Sequence, residues 1–208
     1  MTSLKEYKGF LIICALVAVL ILVVYVFTLF WPRYEEYFFE LGLLGRNQKA
    51  EDYFLGNTST VEVGSNVTWF IYLHNHMGSP QNASVRVKVL NASMLASDDR
   101  THESSPYPVS FEVPVSLGTD ETVLVPFSWS VSEVKVQNNT IAIKHLIING
   151  QSVDVNVSGL SETRFRLVFE LWVYNENSGD YQFFWTSKGE LHSASIYMWF
   201  NIVLPTSG

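Results

Sequence analysis

His74 and His76 stand two residues apart in the segment YLHNHMGSPQNAS, residues 72–84, with Met77 directly after the second imidazole. On a strand, residues i and i+2 share a face, so both rings would point the same way. Two imidazoles and a thioether make a soft ligand set of the kind that suits copper. A metal site needs three or four ligands, however, and His102, His145 and His192 are scattered through the chain. The competing chemistry is that of a turn. His74 and His76 would close a strand as it enters Gly78-Ser79-Pro80, with the Asn75 side chain bonding the turn backbone. The turn is the reading adopted. No metal or other cofactor is expected, and His74, His76 and Met77 are the only metal candidates.

Other chemistry-bearing patterns are thinner. Ser132 to Lys135, SEVK, matches the Ser-x-x-Lys of serine acyl enzymes, a motif that needs a helix N-terminus and partner motifs. Glu51-Asp52 and Asp98-Asp99 are acid pairs without the spacing of a calcium loop. No Gly-rich phosphate loop, His-Glu-x-x-His or Gly-x-Ser-x-Gly occurs. An enzyme is not expected. What does recur is Asn-x-Ser/Thr, at Asn57, Asn66, Asn82, Asn91, Asn138 and Asn156, candidate acceptors for N-linked glycans. Asn82 and Asn91 bracket the strand 84–90 and are expected to project into solvent from its ends.

All six acceptors follow a run of 23 uncharged residues, 9–31. As a helix the run is about 35 Å long at ~1.5 Å per residue, enough to cross a hydrocarbon core of about 30 Å. Lys5 and Lys8 precede it and Arg33 follows, a bias that favours a cytoplasmic N-terminus. Tyr7, Trp31 and Tyr34 lie where interfacial aromatics anchor a helix, and Pro32 helps end it. Ala15 and Ala18 offer small residues for helix contact. The expected plan is a cytoplasmic segment 1–8, a transmembrane helix 9–31, a membrane-proximal segment with the first strand 32–56, and an extracellular domain 57–208.

The one cysteine, Cys14, lies inside the helix run, so the outer region must hold together by burial without a disulfide. Of 13 basic and 20 acidic residues, Lys5, Lys8 and Glu6 precede the run; 11 and 19 follow it, a net charge near −8. That balance argues against a nucleic-acid partner. A glycosylated exterior that is poor in charge and lacks disulfides suggests an archaeal surface.

Beyond the helix, alternation at period two dominates. SVRVKVL sets Val85, Val87 and Val89 against Ser84, Arg86 and Lys88; NVTWFIYL and RFRLVFELWVY alternate likewise. Asn149-Gly150 between two such runs is a two-residue hairpin signal. Eight to ten short strands with regular turns predict an all-β fold, an antiparallel immunoglobulin-like β-sandwich behind one N-terminal transmembrane helix.

The stretch from VEVGSNVTWF to NASVRVKV, with VSLGTDETVLVPFSWSV, resembles immunoglobulin-like modules of archaeal and bacterial surfaces. Three segments, YFFELGLLGRNQKAEDYF, YLHNHM, and RFRLVFELWVY with SASIYMWFNIV, resemble an archaeal membrane-protein family of unknown function, domain of unknown function sixteen-sixteen. Gly45, Lys49, Ala50, Tyr53, Asn75 and His76 match its pattern. Phe54 and Met77 depart from it, standing where Pro and Glu are expected. The resemblance implies an extracytoplasmic sandwich and brings no activity.

Three functions follow as expectations. The first is a non-enzymatic, membrane-anchored extracellular scaffold or accessory subunit of a larger archaeal membrane or envelope complex. The second is a metal-handling or electron-transfer accessory domain built on His74, His76 and Met77. The third is a surface adhesin. For the first, a docking face is suggested by aromatics on supposedly solvated strand faces: Phe70 and Tyr72, Trp172 and Tyr174, Tyr197 and Trp199. The topology is directly testable. Protease added to intact cells should cleave after Arg33 and spare residues 1–8, and protection of the sandwich would reverse the orientation.

Overall fold

The computed structural model describes residues 7–30, 37–137, 140–159 and 164–204. Lys5, Trp31, Pro32, Arg33, Tyr34, Asn138 and the side chain of Asn57 lie outside the described part. The chain divides into two compact units, 1–35 and 36–208. In the first, helix α1 (Lys8–Phe30) is apolar all round and long enough to cross a membrane by length and composition, the same test a signal sequence passes.

The second unit is mostly β, as expected, and its two main sheets face each other across a core. One sheet has five strands in the order β1 (Phe39–Leu44), β3 (Val67–Asn75), β6 (Thr122–Gln137), β7 (Thr140–Ile148), β8 (Gln151–Ser158). The other runs β2 (Thr60–Glu62), β13 (Ser195–Val203), β9 (Arg164–Asn175), β4 (Gln81–Asn91), β5 (Phe111–Leu117), with β10 (Asp180–Gln182) pairing β9. A hairpin of β11 (Phe184–Ser187) and β12 (Glu190–Ser193) stands apart. All pairs are antiparallel except β2 with β13. Among the described residues the only other helix is a 3-10 turn, Leu55–Asn57. The order β3–β6 and β13–β9–β4–β5 is that of strands B–E and G–F–C–C′ in an immunoglobulin sandwich. The β7–β8 hairpin occupies the side of β6 where strand D would lie. β1, in the expected membrane-proximal segment, pairs β3 and buries Phe39 and Leu43 in the sandwich core.

Each expected inward series is buried: Val67, Trp69, Ile71 and Leu73; Val85, Val87 and Val89; Phe165, Leu167, Phe169, Leu171 and Val173. Asn149 and Gly150 join β7 to β8 with φ of 48° and 80°, the left-handed pair that a tight hairpin of matching twist requires. In β6 the pairing with β7 shifts register between Val131 and Val134, a bulge that leaves Glu133 exposed.

β4 breaks the alternation. Ser84 and Lys88 point away from the core yet are buried, as are Val168 and Glu170 on β9 beside them. The segment 92–110 roofs this face. Lys88 Nζ lies 2.9 Å from Glu170 Oε2 and donates to Ser105 O, while Ser105 N donates to Glu170 Oε1 and Trp172 Nε1 to Glu170 Oε2. Lys88 is 2% exposed and Glu170 not at all, so each charge depends on the other. Lys88→Ala should lower the unfolding free energy by about 3–5 kcal/mol by stranding the Glu170 carboxylate. Denaturant titration checks this, and a loss below about 1 kcal/mol would contradict it.

Candidate functional site

The outer face of the five-stranded sheet carries the densest set of ligating groups. Its position follows from register. β3 projects Trp69, Ile71 and Leu73 inward, so Tyr72 and His74 face outward, and His76 continues that side just past the strand end. Glu40 of β1 pairs with His74 across one flank and Thr122 of β6 across the other. Asp120, at φ 54° in the β5–β6 turn, reaches the same spot.

The result is a compact polar cluster. His74 Nε2 lies 3.0 Å and His76 Nδ1 3.4 Å from the same oxygen, Asp120 Oδ1, while His76 Nε2 lies 3.3 Å from Glu40 Oε1. The two imidazoles stack at 3.8 Å, and Phe38 covers the free face of His76 at 4.3 Å. Supporting contacts orient the set. Tyr72 Oη donates to Glu40 Oε2 at 3.0 Å, and Thr122 Oγ1 is 3.0 Å from His74 Nδ1. The hydrogen bond to His74 holds the Asp120 carboxyl below the usual carboxylate range. Partial burial, then Glu40, pushes the Tyr72 phenol up, which keeps it a neutral donor. Glu40, His74 and His76 offer ligand atoms within 4.8 Å of one another.

This set differs from the one expected. Met77 packs partly buried against the hydrophobic core, whereas the imidazoles pair with carboxylates. The turn reading holds for Asn75, whose Nδ2 donates to Ser79 O and Gly118 O and whose Oδ1 accepts from Met77 N. It does not hold for the histidines, which pair with carboxylates. His145 forms a separate group with Asp154 at 2.6 Å and Glu133 at 3.6 Å, His102 contacts Ser193, and His192 stacks on Trp185. Ser132 and Lys135 lie on β6, not at a helix start.

The six aromatics divide between two faces. Phe70 and Tyr72 are half-buried on the outer side of the five-stranded sheet. Trp172 lies beneath Arg86, whose guanidinium is 3.9 Å from the ring centroid, and Tyr174 meets Tyr181 edge-on. Tyr197 and Trp199 on β13 form a more open patch with Arg164 and Arg166, the guanidinium carbons 4.5 Å and 4.8 Å from the Trp199 ring. Tyr197 is 51% exposed.

Helix and sandwich define a mostly β chain with an immunoglobulin-like sandwich behind one apolar helix. No protein-family model matches it, and no curated protein does. It is similar to the CARDB domain of a Pyrococcus furiosus protein, crystallised in complex with di-metal ions: 14% identity, 82% of this chain, 97% of that one, TM-score 0.41. A solution structure of the same domain gives 15%, 81%, 97% and 0.40. For a β-glucosidase from Listeria innocua in complex with isofagomine the identity is 10%, with 80% of this chain, 16% of that one and a TM-score of 0.38. These likenesses concern the fold, and no residue role passes from them. The likeness to domain of unknown function sixteen-sixteen rests on its three segments alone.

The acceptor asparagines separate clearly. Asn66, Asn82 and Asn156 are exposed. Asn91 is only 8% exposed and turned inward: its Nδ2, the atom a glycan would occupy, donates to Ser158 O, and its Oδ1 accepts from Ser93 and Met94. The solvated position expected for Asn91 is therefore wrong. In the native protein, mass spectrometry should find glycan on Asn82 and bare Asn91, and full occupancy at Asn91 would contradict this.

Proposed function

We propose that the protein is a non-enzymatic, membrane-anchored extracellular scaffold, an accessory subunit of a larger envelope assembly. α1 holds the sandwich at the membrane, N-terminus inside, and the β13 surface docks a protein partner. The observation that carries this reading is the exposure of Tyr197 beside Trp199 and two arginines. The neighbouring face of the same sheet is roofed by 92–110, whereas here Tyr197 is 51% exposed and Trp199 beside it is half-buried under Arg164 and Arg166. Tyr, Trp and Arg are the residue types enriched at interface centres, and their polar tips suit a wet rim.

Affinity purification from native membranes tests the proposal. The wild-type chain should retain a stoichiometric partner, and the double variant Tyr197→Ala, Trp199→Ala should lose it while keeping the native circular-dichroism spectrum. Recovery of the wild-type chain alone, or retention by the double variant, would refute docking through β13.

A further inference from the structure

We infer that Glu40, His74, His76 and Asp120 form a binding site for a divalent first-row transition ion of the zinc class. The site lies on the opposite sheet from the β13 patch and is independent of the docking proposal. Its donor set, two imidazoles and two carboxylates without a thiolate, is the hard-to-borderline mixture that zinc and its neighbours take. The spacing agrees with that assignment. Four ligands at about 2.0–2.2 Å around one tetrahedral ion stand roughly 3.3 Å from each other. Glu40, His74 and His76 each bring a ligand atom within 4.8 Å of the others, and Asp120 Oδ1 lies 3.0 Å from His74 Nε2; His76 meets Glu40 and Asp120 through opposite nitrogens and would keep one of these contacts as it turns to the ion.

The stacked rings must each turn about the Cβ–Cγ bond for their lone pairs to converge. That torsion is broad, and the turn exchanges the 3.8 Å stack for shared coordination. Tyr72 on Glu40 and Thr122 on His74 supply the outer hydrogen bonds that fix ligand orientation in metal sites. Four protein ligands leave no open position, so the ion is structural: it joins the edge strand β1 to β3 and to the β5–β6 turn. A plain network of ion pairs is the alternative. The His145–Glu133–Asp154 group, also an imidazole between two carboxylates but with one ring only, provides an internal control.

The full chain in detergent is titrated with Zn²⁺ by calorimetry and with Co²⁺ by absorption spectroscopy. One equivalent should bind, with cobalt bands of tetrahedral intensity and a rise in the unfolding midpoint. His76→Ala and the near-isosteric Glu40→Gln should each weaken binding by at least about 100-fold, Tyr72→Phe by about tenfold, and His145→Ala not at all. Glu40 is half-exposed, so Glu40→Gln preserves the fold and keeps the test decisive if His76→Ala misfolds. Zinc uptake only at millimolar concentration, uptake unchanged in Glu40→Gln, or uptake lost in His145→Ala would each overturn the assignment.

Discussion

Trp69 of β3 and Phe169 of β9 meet edge-on with ring centroids 6.2 Å apart, joining the two sheets between the strands that correspond to B and F. Immunoglobulin domains place their inter-sheet disulfide between those strands. Here the chain's single cysteine is in α1, and aromatic burial does that work. Trp69 also touches Phe54, Phe127 and Trp129, and Trp129 leads on to Phe200. Its indole Nε1 donates to Tyr53 O, so the segment before β2 is tied to the same residue. Losing so large a fully buried ring costs about 3–5 kcal/mol, comparable with removing a native disulfide. The positions of both sheets, and of everything displayed on them, follow from that packing.

The outer faces then diverge. On the five-stranded sheet, β1, β3 and β6 carry short polar side chains and imidazoles in register, with Tyr72 and Thr122 as props. On the other sheet, the 92–110 segment converts half of a surface into interior. Ser105 supplies both a backbone donor and an acceptor to a buried ion pair there. Burial on both sides of β4 is unusual for an antiparallel strand, and only that roof makes it tolerable for Lys88. Arg86, Arg164 and Arg166 lie flat over tryptophans, and Arg166 also donates to Met94 O at the start of the roof.

The sequence discloses these features unequally. Alternation identifies β3, β4 and β9 because each buries one complete face, and Asn149-Gly150 marks its hairpin because only left-handed residues fit there. The roof has no period to betray it, so Lys88 reads as a solvated residue and Asn91 as a strand-end acceptor. His74 and His76 are visible as a same-face pair. Glu40 and Asp120, 34 residues before and 46 after His74, are not, because they arrive through cross-strand register and a turn. Register depends on which strands pair, and a single strand's pattern does not contain it. Met77 looks like a ligand for the opposite reason: adjacency along the chain conceals that it packs against the hydrophobic core.

The parallel pairing of β2 with β13 sets an order of events. β13 is the last of the described strands but sits inside its sheet, with β2 on one side and β9 on the other. During synthesis, β2 emerges long before it and β9 shortly before, and neither has its partner across the gap. Until β13 arrives, Phe165, Phe169 and their neighbours border an open edge able to pair with another chain. Contacts this distant in sequence also make closure slow. The nascent chain therefore passes through a stage of aggregation risk that the arrival of β13 ends.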